Sequence, residues 1–211
     1  MYKLTFEKNA KYEDYAFLGA FIDGSRRNEL ETRKSDISAL CSLLAELLVR
    51  RHVISECGKN NAEIEIIRSP KGKPRLKNCD GLHFSISHTD TDIFVEFSEM
   101  PIGIDAERIK NVREKIAARW FTPNEQKTLG ESAEPDVLFT EIWTRKEAYS
   151  KLTGAGFACG FDRIETMSGE FDAVCETNRS GDIVISSAGN NLPAFEIDEI
   201  TVDELIHFFR K

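Results

Sequence analysis

The sequence predicts a mixed fold of helices and strands arranged as two similar halves. Each half begins with an alternating, strand-like segment, continues into a long stretch with apolar residues at helical spacing, and returns to strands. The two long helical stretches, at 36–53 and 135–152, lie at corresponding places in the halves. The halves meet near Met100-Pro101 without a low-complexity linker, which sets expected units of 1–100 and 101–211.

The opening Met1-Tyr2-Lys3-Leu4-Thr5-Phe6-Glu7 alternates as a strand does and lacks the basic-then-apolar layout of a secretory signal. An intracellular, cytoplasmic address is the expectation. The helix from Asp36 places Ile37, Leu40, Leu43, Leu44, Leu47 and Leu48 on a core-facing surface, with Ser35 or Asp36 as its N-cap. A strand is expected at 63–67. The segment Ser69-Pro70-Lys71-Gly72-Lys73-Pro74 must then be a loop, because two prolines and a glycine interrupt either regular structure.

Residues 82–86 and 93–97 read as a strand pair joined by a polar turn at 87–92, and 102–105 as a short buried strand. Helical spacing returns at 113–120 and at 123–129, where Thr122 is the cap and Pro123 fits the first turn. The helix at 135–152 is marked by Val137, Leu138, Ile142, Trp143 and Tyr149, and is ended by Gly154 and Gly156. Strands are expected at 171–176, 182–186 and 194–197, and a helix at 202–209.

The 211 residues, 41% of them hydrophobic and including fourteen Phe, suffice for a folded protein with a substantial core. No apolar run reaches the roughly 18 residues of a membrane span. A formal net charge of −8 disfavours nucleic acid or an anionic membrane as the main partner, so a polyanionic ligand needs a local basic site. Such clusters exist at Ser25-Arg26-Arg27, Arg33-Lys34, 71–75 and Arg145-Lys146, each ordinarily a solvated surface. The five cysteines are scattered and never in C-x-x-C pairs, which indicates neither a disulfide framework nor a zinc site.

In Gly103-Ile104-Asp105-Ala106-Glu107 the two carboxylates stand two residues apart and share one side of an extended segment. Held together they repel unless a cation lies between them. In Trp143-Thr144-Arg145-Lys146-Glu147-Ala148-Tyr149-Ser150-Lys151, helical spacing puts Trp143, Glu147 and Lys151 on one face. That face offers either a plain surface ion pair or a third carboxylate ligand with a cation one turn on. Three carboxylates without a nearby histidine or cysteine suit Mg2+, which shares its coordination with water and substrate phosphates. Ser87 and His88, where a strand gives way to a turn, carry groups able to bond a phosphate. Lys73 stands on a stiff loop between Gly72 and Pro74. Walker A, Rossmann and Gly-x-Ser-x-Gly patterns are absent from the sequence.

Taken in order, Gly72-Lys73-Pro74, Phe84-Ser85-Ile86-Ser87-His88, Ile102-Gly103-Ile104-Asp105-Ala106-Glu107 and the segment from Trp143 to Lys151 resemble the 4′-phosphopantetheinyl transferases of the surfactin-synthetase type. Arg119-Trp120-Phe121-Thr122-Pro123-Asn124-Glu125 and Lys151-Leu152-Thr153-Gly154-Ala155-Gly156 extend the likeness. The resemblance implies a two-lobed α+β pseudodimer, each lobe a small antiparallel sheet packed with a long helix, acting as a monomer on coenzyme A bound between the lobes. It implies transfer of 4′-phosphopantetheine to a serine of an acyl, peptidyl or polyketide carrier protein, releasing 3′,5′-ADP. Asp105, Glu107 and Glu147 would hold Mg2+ at the pyrophosphate, which Lys151 would contact. Ser87 and His88 would bind the 3′-phosphate region, Lys73 would lie near the adenosine end, and Glu125 would support the site. Glu147 is the foremost candidate for taking the serine proton, with Lys151 stabilising the departing phosphate.

The pattern departs at Ser85, where relatives often carry asparagine, at Ala106, and at the start of the Asp36 helix, which lacks a basic residue. Arg26, Arg27 or Lys34 could take up the 3′-phosphate instead. Two rivals remain open at this stage. One is a magnesium-dependent pyrophosphohydrolase using water as attacker; the other is a non-catalytic module binding coenzyme A or a carrier, against which the intact acids and Lys151 count.

Overall fold

The computed structural model describes residues 1–156, 160–167 and 173–210. The first half contains β1 (Tyr2–Thr5), the short α1 (Tyr12–Tyr15), α2 (Gly24–Glu31), the long α3 (Asp36–Cys57), a small hairpin of β2 (Ile66–Arg68) and β3 (Pro74–Leu76), and the strands β4 (His83–His88) and β5 (Asp92–Ser98). The remainder contains β6 (Ile102–Arg108), α4 (Glu114–Trp120), α5 (Pro123–Glu131), the long α6 (Pro135–Thr153), β7 (Val174–Ser180), β8 (Ile183–Gly189), β9 (Asp198–Ile200) and α7 (Val202–Phe209).

The two main sheets repeat one topology. The larger has the order β4-β5-β1-β9 and the smaller β6-β8-β7. In each, a first strand leads into a long helix, and an antiparallel hairpin then follows whose second strand pairs antiparallel with the first strand, Leu4 facing Ile93 in one sheet and Asp105 facing Ser186 in the other. The fold is thus α+β, with small antiparallel sheets packed against helices. β9 departs from the repeat: it joins the larger sheet parallel to β1, Leu4 opposite Ile200, and α7 packs on α3.

α3 follows from its sequence directly. Ser35 caps it by accepting from the Ser38 amide at 3.3 Å, and it is so deeply embedded that Glu46 and Arg50 are buried along with its leucines. Those two charges neutralise each other at 3.2 Å, as buried charges must. Between the sheets, Phe94 of β5 packs against Ile102, Ile104 and Ala106 of β6 and Ile183 and Ile185 of β8. A third cluster of Ala117, Phe121, Leu129, Phe139 and Ile142 seats α4 and α5 on α6.

Several expectations shift. β6 runs on to Arg108 instead of stopping at Asp105, so both motif carboxylates lie within a strand. The strand expected at 63–67 begins only at Ile66, because Asn60 and Glu63 form a capping box around a 3-10 turn at Asn61–Glu63. The strand expected at 194–197 is absent among the described residues, and the paired residues are Asp198–Ile200. Ser87 and His88 belong to β4 and not to the turn. Phe171 and Asp172, expected in a strand, and Cys159 lie outside the described residues; Cys41, Cys57, Cys79 and Cys175 are free thiols. Among the described residues no helix is long and apolar enough to cross a membrane.

Candidate active site at the seam between the sheets

The site is built where β4, β6 and α6 meet. Alternation along β6 turns Ile102, Ile104 and Ala106 into the core against Phe94, leaving Gly103, Asp105 and Glu107 on the face toward α6. Gly103 lets the helix come into direct contact. A methyl group there would overlap the Ala148 carbonyl oxygen and the Leu152 backbone nitrogen. This absence of a side chain brings Glu147 and Lys151 down onto the Asp105 side of the strand.

The β4 edge meets β6 through side-chain hydroxyls. Ser85 Oγ accepts from the Ile104 amide and Ser87 Oγ from the Ala106 amide, each at 3.0 Å. Ser87 also donates to Asp105 Oδ1 at 2.9 Å, and Lys151 Nζ reaches Asp105 Oδ1 at 2.9 Å, Ser87 Oγ at 3.0 Å and the Ile86 carbonyl at 3.1 Å. Asp105 Oδ2, by contrast, is buried without a partner. Glu107 is held by Lys110 at 2.6 Å. The Glu147 carboxyl is pushed up to about 7, chiefly by burial and next by the charge of Asp105, against the opposing pull of Lys151 and with a further push from Glu107.

The three acids therefore share one electrostatic neighbourhood, but two of them are pinned by lysines. Among the described residues no group of three or more His, Cys, Asp or Glu side chains converges tightly enough to hold a metal ion in this arrangement. The donor set nevertheless fits a hard divalent cation. An orphaned carboxylate oxygen in a buried position, beside a carboxyl that repulsion and burial hold near neutrality, is relieved by positive charge.

Beside this cluster a cavity of about 230 Å3 is lined by Lys71, Lys73, Phe84, Ile86, Lys151 and Gly154 among others. Lys73 is part of its wall. Its ammonium donates to the carbonyls of Ile102 at 3.2 Å and Leu152 at 3.1 Å, so it ties the β2–β3 hairpin to the start of β6 and the end of α6, and burial lowers its pKa. His88 points to the opposite side of β4 from Ser87, is exposed, and contacts the Thr89 carbonyl at 3.3 Å. It lines a second cavity of about 140 Å3 together with Arg26, Ser42, Arg68 and Ile86. The structure thus brings Ser87, Asp105 and Lys151 into one hydrogen-bonded knot and sets His88 apart with Arg26. Arg26 itself is engaged by Glu29 and Glu46.

Lys146 is the residue sequence reasoning misjudged. The Arg145-Lys146 pair looks like a surface cluster, yet Lys146 is 0% exposed and forms a 2.8 Å ion pair with the equally buried Glu125. It also donates to the carbonyls of Phe161 and Ile164 at 2.6 Å each, and burial holds its ammonium below the usual range. Glu125 in turn accepts from Thr122 and Thr166, so one buried hub fixes α5, α6 and the segment around 161–166 just behind Glu147. Glu125, expected to support the site, also closes the Thr122-x-x-Glu125 capping box of α5, and no local signal marks Lys146 as its buried partner.

The class that the fold and site define is an α+β protein of two topologically matched halves with an acidic site at their seam. Comparison with known proteins places it more closely: residues 101–188, from just before β6 nearly to the end of β8, match the 4′-phosphopantetheinyl transferase superfamily. The chain is 34% identical to the 4′-phosphopantetheinyl transferase psf-1 of Bacillus pumilus, over 78% of this chain and 71% of that protein. It is 38% identical to the 4′-phosphopantetheinyl transferase gsp of Aneurinibacillus migulanus, over 67% of this chain and 60% of that protein. With the 4′-phosphopantetheinyl transferase Sfp of Bacillus subtilis the identity is 26%, over 77% and 73% of the two chains. The chain belongs to the 4′-phosphopantetheinyl transferase family, whose reaction moves 4′-phosphopantetheine from coenzyme A to carrier proteins.

Proposed function

We propose that this transferase works with Mg2+ held by Asp105, Glu107 and Glu147, and that the attacking group is a serine hydroxyl of an acyl, peptidyl or polyketide carrier protein. The observation that supports the metal most strongly is the buried, unpartnered Oδ2 of Asp105 next to the Glu147 carboxyl. When bound, Mg2+ supplies neutralisation of the coenzyme A pyrophosphate.

The chain's own groups perform the rest. Glu147 is the group placed to take the serine proton, directly or through a water, as the oxygen attacks the phosphorus on the pantetheine side. The bond from that phosphorus to the bridging oxygen breaks, and 3′,5′-ADP leaves. Lys151, which bonds Asp105 Oδ1 here, would stabilise the charge developing on the departing phosphate. In this reading coenzyme A occupies the cavities flanking β4, with Lys73 in the wall of one and His88 and Arg26 in the other. Ser87, whose hydroxyl is committed to Asp105 and Ala106, contributes to the nucleotide site by fixing the strand.

In the same reading the chain divides at residues 100 and 101 into two lobes, with β9 and α7 returning to the first. It acts as a cytoplasmic monomer, without nucleic-acid or membrane partners. Weighing an apo carrier protein after incubation with coenzyme A and Mg2+ tests the central claims. A gain of the phosphopantetheine mass, abolished by EDTA and by Asp105→Ala, is expected. Full activity in EDTA, or in Asp105→Ala, would remove the metal assignment.

A further inference from the structure

We propose that Lys110 competes with the divalent cation for Glu107 and so sets how tightly the acid cluster takes it. This inference rests on the metal reading above and concerns a residue which that reading does not use. The Lys110 ammonium lies 2.6 Å from Glu107 Oε2, three residues on from it and just past the end of β6.

Its backbone is fixed independently of that ion pair. The Lys110 amide donates to Thr140 Oγ1 at 3.2 Å, and the preceding Ile109 amide to the Asp182 carbonyl at 2.7 Å, so the lysine is delivered to Glu107 from a backbone tied to α6 and to the turn before β8. Arg108, between them, is turned away to Asp92 and Asp182 and does not share the task.

The charge balance gives Lys110 its importance. Asp105, Glu107 and Glu147 face Lys151 and Lys110, and each of the first two acids is already paired. Lys151 has another destination when a phosphate arrives. Lys110 has only Glu107 among the described residues, so engagement of Glu107 by a cation must displace it or suffer its repulsion. Both side chains of the pair are partly solvent-exposed, which keeps the exchange shallow: removal of the lysine should tighten cation binding by about three- to fivefold.

The probe is Mn2+, titrated into the coenzyme-A-free protein while free Mn2+ is followed by electron paramagnetic resonance. Lys110→Gln should bind about three- to fivefold more tightly than the unaltered protein. Lys110→Arg, which keeps the pair, and Lys115→Gln, which removes an exposed positive charge elsewhere, should both stay within twofold of it. Unchanged or weaker binding by Lys110→Gln overturns the proposal, as does equal tightening by Lys115→Gln, since net charge alone would then account for it. Mn2+ binding that survives Asp105→Asn, or is absent from every protein including Lys110→Gln, overturns the metal reading together with it.

Discussion

Gly103 and Ala148 touch: the strand's Cα side rests directly on the helix carbonyl, with no room for a methyl group between them. That contact sets the distance from Asp105 on β6 to Glu147 and Lys151 on α6. Gly103→Ala must push the strand and helix apart, with backbone on both sides and no flexible side chain to give way. Overpacking of this kind costs about 1–3 kcal/mol or more, and the transferase rate should fall by more than the loss of folded protein explains. Urea unfolding midpoints compared with carrier modification rates at a temperature where the variant remains folded check this; a folded variant with the parental rate would refute it.

Ser87 is expected to matter for position more than for direct contact with substrate. Ser87→Ala leaves the Ala106 amide without its acceptor and strips Asp105 of one donor, at a cost of about 1–3 kcal/mol for the buried unpaired groups. The matching change one alternation earlier, Ser85→Ala, orphans the Ile104 amide without touching Asp105. Both should lower the unfolding midpoint, but only Ser87→Ala should also slow transfer beyond twofold. Equal slowing by the two would assign the effect to the seam as a whole.

The raised Glu147 carboxyl gives a stability signature in metal-free protein. Its pKa is about 7 in the fold against a usual value of 4.5, so the folded state favours the protonated form. The group is without penalty below pH 4.5, and the fold loses stability as the pH rises from there through 7, after which the deficit is constant. Glu147→Gln should accordingly unfold at a higher temperature than the parent at pH 8 in EDTA and show no advantage at pH 4. Melting curves across that range test it, and a constant difference at all pH values would contradict the assignment.

The buried Lys146–Glu125 pair should be intolerant of single changes. Lys146→Met leaves the Glu125 charge uncompensated in the interior, at about 3–5 kcal/mol. Adding Glu125→Leu should recover part of that loss, because it removes the stranded charge. Chemical denaturation of the two variants measures both numbers, and a loss below about 1 kcal/mol in the single variant would show the pair to be dispensable.

Sequence periodicity revealed the parts of this fold that carry their own signal. α3 and α6 announce themselves by apolar spacing and by their end residues, and the Gly103-x-Asp105-x-Glu107 alternation places its acids on one face wherever the strand lies. What escaped depends on distant partners. Lys146 belongs to a class of residue seldom buried, and only the location of Glu125, Phe161 and Ile164 explains its interior position. β9 is three residues long and pairs with a strand nearly two hundred positions earlier, so no local pattern marks it. α2 has little apolar patterning, and its start depends on the Asp23 carboxylate accepting from the Ser25 and Arg26 amides. Likewise, Ser85 reads as an ordinary strand serine and Ser87 as a turn residue until β6 is set beside them.

That pair of serines gives the seam an unusual mechanical character. The edges of β4 and β6 are fastened by two hydroxyl clasps, where a continuous sheet would have a main-chain ladder. Each clasp hangs on one side chain, and both strands are completed within their own sheets. The two sheets thus keep separate main-chain ladders, and Asp105, bonded to the Ser87 clasp, sits at the point where one is fastened to the other.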